Sequence, residues 1–422
     1  LLAQEPKEAM KVGLHPALND IHLDVNQPLS QRQLSIAISA IASSQDRTVP
    51  LNLCLVLDHS GSMNGRSLET VKKAAIRLIE RLQPGDRLCV VAFDHRAKVL
   101  VRNQAIDDLD SAIKPIKRLS ADGGTAIDEG LKLGVEELIK GKQETVSQLF
   151  LLTDGENEHG NNKRCLKLAQ LAADNNLTLN SLGFGDNWNQ DILEKIADLG
   201  GGALSYIERP EQAVEEFGRL FTRIQAVGLT NAYLLLELMP QVRLAELKPI
   251  AQVAPDTIEL PVQQESDRFV VRLGDLMTDA ERVVLANLYV NQLPPGLQTI
   301  ATVQVRYDDP SLGQEKLFSE RVPVDIEVQQ TYQPALNTQV QNSILALAKY
   351  RQTQIAETKL QQGDRAGAAT MLQTAAKTAI QMGDKGAATV LQTSATRLQS
   401  GEDLSDADRK KTRIVSKTRL QD

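Results

Sequence analysis

Cysteine is scarce in this chain. Its 422 residues include only Cys54, Cys89 and Cys165, and all three fall inside apolar segments rather than in loops. An odd number of cysteines, placed as small hydrophobes, argues against a disulfide framework and for a reducing compartment. Histidine is nearly as rare, and the five that occur show no spacing with cysteine that would build a zinc site. No apolar run is long enough to cross a bilayer, and the N-terminus lacks the apolar core of a signal peptide. The expected location is therefore cytoplasmic, or surface or periplasmic if a leader preceded residue 1. The chain opens LLAQEPKEAM, without an initiator methionine, which leaves Met10 as a candidate natural start.

An excess of positive charge is also missing. Lys plus Arg total 47 against 54 Asp plus Glu, a net charge of −7, which argues against a chain-wide nucleic-acid or anionic-membrane surface. Familiar catalytic motifs are absent too. The segment around Ser60 has Asp58 where a nucleophile elbow needs glycine. The glycine-rich stretches GFGD (183–186) and GGG (200–202) do not form GxGxxG at the first strand-to-helix turn, and no Walker A sequence occurs. Neither a hydrolase nor a nucleotide-binding enzyme is indicated, and no catalytic residue is assigned. Trp188, the single tryptophan, is expected to pack rather than to anchor a partner.

What is present is globular. A length of 422 residues implies two or three domains. From about 47 to 226, buried-strand patterns such as VPLNLCLVL (49–57) alternate with helical patterns, the first being Ser67–Leu82. This alternation predicts an α/β unit with a doubly wound, mostly parallel sheet, in which ligands bind beyond the carboxyl ends of the strands. Residues 227–332 instead read as β-branched strands separated by prolines and glycines, an antiparallel β-sandwich. The strand-like residues 10–46 are too few to form a core alone and are expected to pair with those later strands, so that the α/β domain is inserted in the β-domain. Residues 333–422 are helical, with an internal echo from QQGDRAGAATMLQT (361–374) to QMGDKGAATVLQT (381–393). That echo suggests a helical hairpin packed on another domain. A final basic helix carrying Lys410, Lys411, Arg413, Lys417 and Arg419 reads as a solvated charged face.

Three stretches carry the chemistry: LVLDHSGSM (55–63), SADGGTAI (120–127) and LFLLTDGE (149–156). If the strands ending near Leu57 and Thr153 are neighbours, Asp58, Ser60, Ser62, Thr125 and Asp154 converge at one sheet edge. These are oxygen donors only, which suit a hard divalent cation. Magnesium is preferred because it keeps waters and takes one or two carboxylates, with calcium or manganese as alternatives. Two carboxylates and neutral hydroxyls leave the ion able to accept a further anion. The helix N-termini at Gly65–Ser67 and Gly124–Ala126 would favour that anion. The bland alternative is that Asp58 and Ser62 cap a helix while Asp154 forms a turn. His59 and His159 lie close enough to line the rim, although solvated loop histidines are the commoner case.

With these motifs in order, residues 48–224 resemble a von Willebrand factor type A (VWA) domain with its metal-ion-dependent adhesion site. That family's D-x-S-x-S, distant Thr and distant Asp correspond to Asp58, Ser60, Ser62, Thr125 and Asp154. The full arrangement is similar to bacterial, especially cyanobacterial, multi-domain members. The resemblance implies a Rossmann-like fold, an ion anchored by Asp58 and bound by Ser60 and Ser62, and exchange of Thr125 and Asp154 between direct and water-mediated contact. It further implies a protein ligand with an exposed Asp or Glu, and movement of the last helix, Ala213–Ile224. An alternative role is a non-catalytic subunit working with a separate ATPase in a chelatase-like or remodelling complex.

Overall fold

The computed structural model describes residues 11–41, 49–185 and 187–417. The candidate start Met10, the expected boundary at 46/47, Asp186 of the GFGD stretch and Arg419 lie outside these residues.

The α/β domain is built on a six-stranded sheet in the order Ala97–Ala105, Arg87–Phe93, Leu51–Asp58, Val146–Thr153, Thr178–Phe184, Gly201–Ile207. All neighbours are parallel except the antiparallel edge strand Ala97–Ala105. Leu51–Asp58 and Val146–Thr153 are buried along their whole length, as their unbroken apolar patterns require. Six helices cover the two faces: α1 (Arg66–Ile79), α2 (Leu109–Lys117), α3 (Ile127–Ile139), α4 (Asn162–Asp174), α5 (Gln190–Gly200) and α6 (Ala213–Gln225). Alternate residues of the central strand serve opposite cores. Leu53, Leu55 and Leu57 pack with Val71 of α1, Ile113 of α2 and Phe221 of α6. Cys54 and Val56 pack with Leu131 of α3, Ala169 of α4 and Leu193 of α5. A Cβ on Gly134 of α3 would stand 2.5 Å from Val56 Cγ2, so glycine is what lets this helix approach the sheet. Helix α2 is absent from the sequence reading; it is only nine residues long and contains Pro115, which weakens its helical pattern.

Two sheets form the β-domain, antiparallel except where the short strand His22–Asp24 pairs parallel with Val322–Gln329. The N-terminal strands Lys11–Leu18 and Leu29–Ile41 are part of it: Leu29–Ile41 pairs with Arg282–Asn291, in register from Arg282 opposite Ile38 to Asn291 opposite Leu29. The facing sheet places Val227–Leu238 between Arg268–Met277 and Gly296–Asp309. Leu34, Ile36 and Ile38 of one sheet and Leu234, Leu236 and Val303 of the other share one core. The α/β domain thus sits between Leu29–Ile41 and Val227–Leu238 along the chain, with α6 running almost directly into the latter strand.

The C-terminal region is not a hairpin but four helices: α7 (Thr338–Gln361), α8 (Arg365–Gln381), α9 (Lys385–Gln399) and α10 (Asp406–Lys417). The sequence echo covers only α8 and α9, whose N-caps Asp364 and Asp384 accept hydrogen bonds from Gly367 N and Ala387 N. The flanking helices have other reasons to fold. Val340, Leu347 and Tyr350 of α7 pack on Val253 and Leu285 of the sandwich.

The basic face of α10 is not solvated. Lys417 Nζ lies 2.7 Å from Glu194 and 2.8 Å from Asp198, Arg413 lies 2.5 Å from Asp191, and Lys411 lies 2.8 Å from Glu208. Lys410 Nζ stands 4.4 Å over the ring of Trp188, which is buried in the core beneath α5. The helix is therefore clamped along the acidic side of α5, a complementarity that α10's own periodicity cannot reveal. Among the described residues, no helix is long and apolar enough to cross a membrane.

Candidate functional site

Strand Leu51–Asp58 is the point at which the sheet order reverses: the next strand in sequence, Arg87–Phe93, lies on one side and Val146–Thr153 on the other. The parallel register pairs Leu57 with Leu152, so Asp58 and Asp154 emerge side by side at the carboxyl edge, where α/β sheets bind ligands. The structure brings all five sequence-selected residues to this edge. Ser60 Oγ is 3.1 Å from Ser62 Oγ, and Ser62 Oγ donates to Asp154 Oδ1 at 2.6 Å. Thr125 comes from the loop before α3. A Cβ built on Gly155 would lie 3.2 Å from Thr125 Oγ1 and 3.8 Å from Ser62 Oγ, which places both hydroxyls around that glycine.

Backbone bonds lace the three loops together. Gly61 N donates to Gly123 O and Asp122 N to His59 O, both at 2.9 Å, and His159 N donates to Thr125 O at 3.0 Å. Asn157 Oδ1 accepts from Ile127 N at 2.7 Å, which ties the loop after Asp154 to the first turn of α3. The hydroxyls are not used for helix capping. Neither α1, capped by Gly65, nor α3, capped by Ala126, has a side-chain cap hydrogen bond, and the turn Gly61–Met63 has none from Ser60. Helix capping by these side chains is thereby removed as an explanation, whereas Asp58 does close a local turn by accepting from Ser60 N.

Burial is graded across the site. Asp58, Ser60 and Thr125 are buried, Asp154 is half-buried and Ser62 is exposed, so the open mouth lies at Ser62 and Asp154. Asp58 spends Oδ1 on Ser60 N at 2.8 Å and Oδ2 on Thr153 Oγ1 at 2.5 Å. Burial pushes its carboxyl up to about 6 despite those bonds, and the charge of Asp154 adds to the shift. Burial also raises Asp154, against the hydrogen bond from Ser62. Among the described residues, no basic side chain is a leading cause of either shift. Two carboxylates held together in this way are electrostatically unfavourable without a counter-charge. Among the described residues no cluster of three or more His, Cys, Asp or Glu could hold a metal, so an ion here would depend on the hydroxyls as well as the two carboxylates. That donor set fits a hard cation and not zinc.

Two participants escaped the sequence reading. Thr153, fully buried at the strand end, and Asn157 position the site from behind. A buried hydroxyl closing an otherwise apolar strand was the available signal for Thr153. His59 corrects an expectation: it is buried, not on a solvated rim, with Nδ1 3.0 Å from Ser120 O. Burial, followed by the charge of Lys98, pushes its pKa down. His159 is exposed, and its ring lies over Gly124, where a Cβ would meet Cε1 at 2.7 Å.

A nucleotide-fold sheet with this loop cluster at its switch point is the architecture of a VWA domain, and the family model for the von Willebrand factor type A domain matches residues 52–218. A second model, the Sll0103-like C-terminal alpha-helical domain, matches residues 338–422. The chain belongs to the family of the cyanobacterial uncharacterized protein sll0103 of Synechocystis sp., to which it is 63% identical over 412 residues, covering 98% of each. It is also similar to inter-alpha-trypsin inhibitor heavy chains, at 29% identity to H4 of Bos taurus and 32% to H3 of Homo sapiens. Those matches cover 43% and 35% of this chain, which spans only 22% and 18% of the two relatives. In fold it is similar to a von Willebrand factor type A protein from Catenulispora acidiphila, with a TM-score of 0.82, 18% identity and 99% of both chains covered. The ArnB paralog VWA2 from Sulfolobus acidocaldarius gives 0.57 at 15% identity, covering 96% of this chain and 98% of that one.

Proposed function

We propose that this protein is a non-catalytic, divalent-cation-dependent protein-binding module whose ion accepts an Asp or Glu carboxylate from a partner. VWA domains as a family commonly mediate protein interactions, and the observation that supports the finer reading is the chain Ser60–Ser62–Asp154, backed by Asp58 and flanked by Thr125. In this reading Asp58 anchors the ion, Ser60 and Ser62 bind it directly, and Thr125 and Asp154 complete the site. A divalent ion bound there would present a coordination position to an incoming carboxylate. The protein's own contribution is pre-organisation. Thr153 and Ser60 N orient Asp58, and Asn157 fixes the Asp154 loop against α3. The graded burial makes Ser62 and Asp154 the two of the five residues that are not buried. Magnesium is the preferred ion, since two carboxylates with hydroxyls and waters suit a small octahedral cation.

The test is titration calorimetry with magnesium, manganese and calcium, followed by binding to an array of short peptides with and without an Asp or Glu. Metal binding to the wild type, lost in Asp58→Ala and Asp154→Asn, together with chelator-sensitive capture of the acidic peptides, is the expected result. Peptide capture that ignores chelator would overturn the proposal.

A further inference from the structure

Away from the ion site, a cavity of about 320 Å³ opens where α5, the sandwich and α10 meet. Its volume falls at the lower end of the range for small-molecule sites. Most of the charge around it is already committed. Lys417 is held by Glu194 and Asp198, Arg413 by Asp191 and Glu357, and Arg223 lies 3.6 Å from Asp256. Arg282, only 6% exposed, donates to Gln252 Oε1 and to Asp275 O, yet its Nε has no hydrogen-bond partner.

Arg272 is different. Among the described residues its one hydrogen bond is a long one, 3.5 Å from Nη2 to Ala173 O, its buried Nε has no hydrogen-bond partner, and no ion pair holds it. Space beside the guanidinium is kept by Gly201, whose φ is 72°: a Cβ there would stand 2.8 Å from Arg272 Nη1. Burial and then the charge of Arg223 push Arg282 down to about 10, with Arg272 adding to the shift and Asp275 and Asp256 opposing it. The lining also includes the carboxylates Asp174, Glu194, Asp198 and Asp256 and the apolar side chains of Leu204, Ile258, Leu260 and Val270, the last of which shares a strand face with Arg272.

We propose that this three-way junction binds a small organic anion, with its carboxylate or phosphate on Arg272 and its apolar body against Leu260 and Val270. Guanidinium groups bind such heads through two parallel N–H donors, and the apolar lining side chains add selectivity for a hydrocarbon body over a bare inorganic ion. An anion here also relieves the repulsion within the arginine group. Because Arg223 belongs to α6, Arg272 to the sandwich and Lys417 to α10, the bound molecule would touch all three parts of the chain. The proposal is independent of the ion site.

Calorimetry on the full chain with hexanoate, hexyl phosphate, acetate, inorganic phosphate and neutral hexanol tests it. One of the two hexyl anions should bind saturably and at least tenfold more tightly than hexanol or its own short counterpart, and the tighter of the two identifies the head group. Arg272→Gln should weaken binding at least tenfold, and Leu260→Trp, which fills the cavity without touching its charge, should do the same. Asp154→Asn should leave it unchanged. Absence of saturable binding by either hexyl anion, or binding that persists in folded Arg272→Gln or in Leu260→Trp, overturns the proposal.

Discussion

Ser62 Oγ donates to Asp154 Oδ1 at 2.6 Å, although 92 positions separate the two residues. This bond joins the first and last elements of the oxygen cluster and lies at its open mouth. It also indicates how the site should respond when its charge is altered.

Asp154→Asn removes one of two carboxylates that burial holds above their ordinary range. Without metal the variant should be as stable as the wild type or more so. Magnesium at about a hundred times its Kd should add roughly 2.7 kcal/mol to the wild type and nothing to the variant. Urea unfolding with and without magnesium reads both effects, and a variant that keeps the metal-induced gain contradicts the assignment.

Thr153→Val keeps the shape of the strand end but leaves Asp58 Oδ2 without its 2.5 Å donor. A buried acceptor left unsatisfied costs about 1–3 kcal/mol. The denaturation midpoint should fall accordingly, and magnesium affinity should fall with it. Unchanged affinity would mean that Thr153 plays no part in orienting Asp58.

Lys417→Met breaks the contacts of α10 with Glu194, whose side chain is 4% exposed, and with Asp198. Burial alone would lower the Lys417 pKa, but those two carboxylates raise it well above the ordinary lysine range. Loss of one partner from a buried pair should destabilise the docked helix by about 3 kcal/mol. Amide exchange should speed up in α10 and stay slow in α3, whereas equal protection in both proteins would show that the ion pairs do not hold the helix.

Asp275 links the domains by accepting from Gln148 Nε2 and Thr178 Oγ1, both at 2.7 Å. Burial raises its pKa above the ordinary 3.8, outweighing those two bonds and the nearby Arg272 and Arg282. The protonated form is thus the one the fold favours. Its contribution to stability is complete below the unfolded value and is lost as pH rises through the higher folded value. Asp275→Asn should match the wild type at the acid end and become relatively more stable as pH increases. Urea midpoints from about pH 4 to about pH 8 check this, and a difference that does not vary with pH would refute it.

Local sequence pattern was sufficient where one residue's surroundings repeat with a fixed period. The apolar runs of Leu51–Asp58 and Val146–Thr153 announced strands covered on both faces, and Asp364 and Asp384 announced the starts of α8 and α9. Pattern failed for α2, where Pro115 masks a short helix, and for α10, because a lysine facing water and a lysine facing Glu194 have the same spacing. The loop histidines show the same limit, since only the fold buries His59 and exposes His159.

By itself the sequence determined the chemical character of the candidate site: two carboxylates and three hydroxyls, with no thiolate or imidazole among them. Tertiary structure alone decided that these oxygens meet, because the Leu57–Leu152 register sets Asp58 beside Asp154. It also decided that Arg272 lines a cavity and makes no ion pair among the described residues, since that cavity exists only where three separately coded parts of the chain pack together. Side-chain type is local information, whereas neighbourhood and burial depend on contacts between residues far apart in the chain.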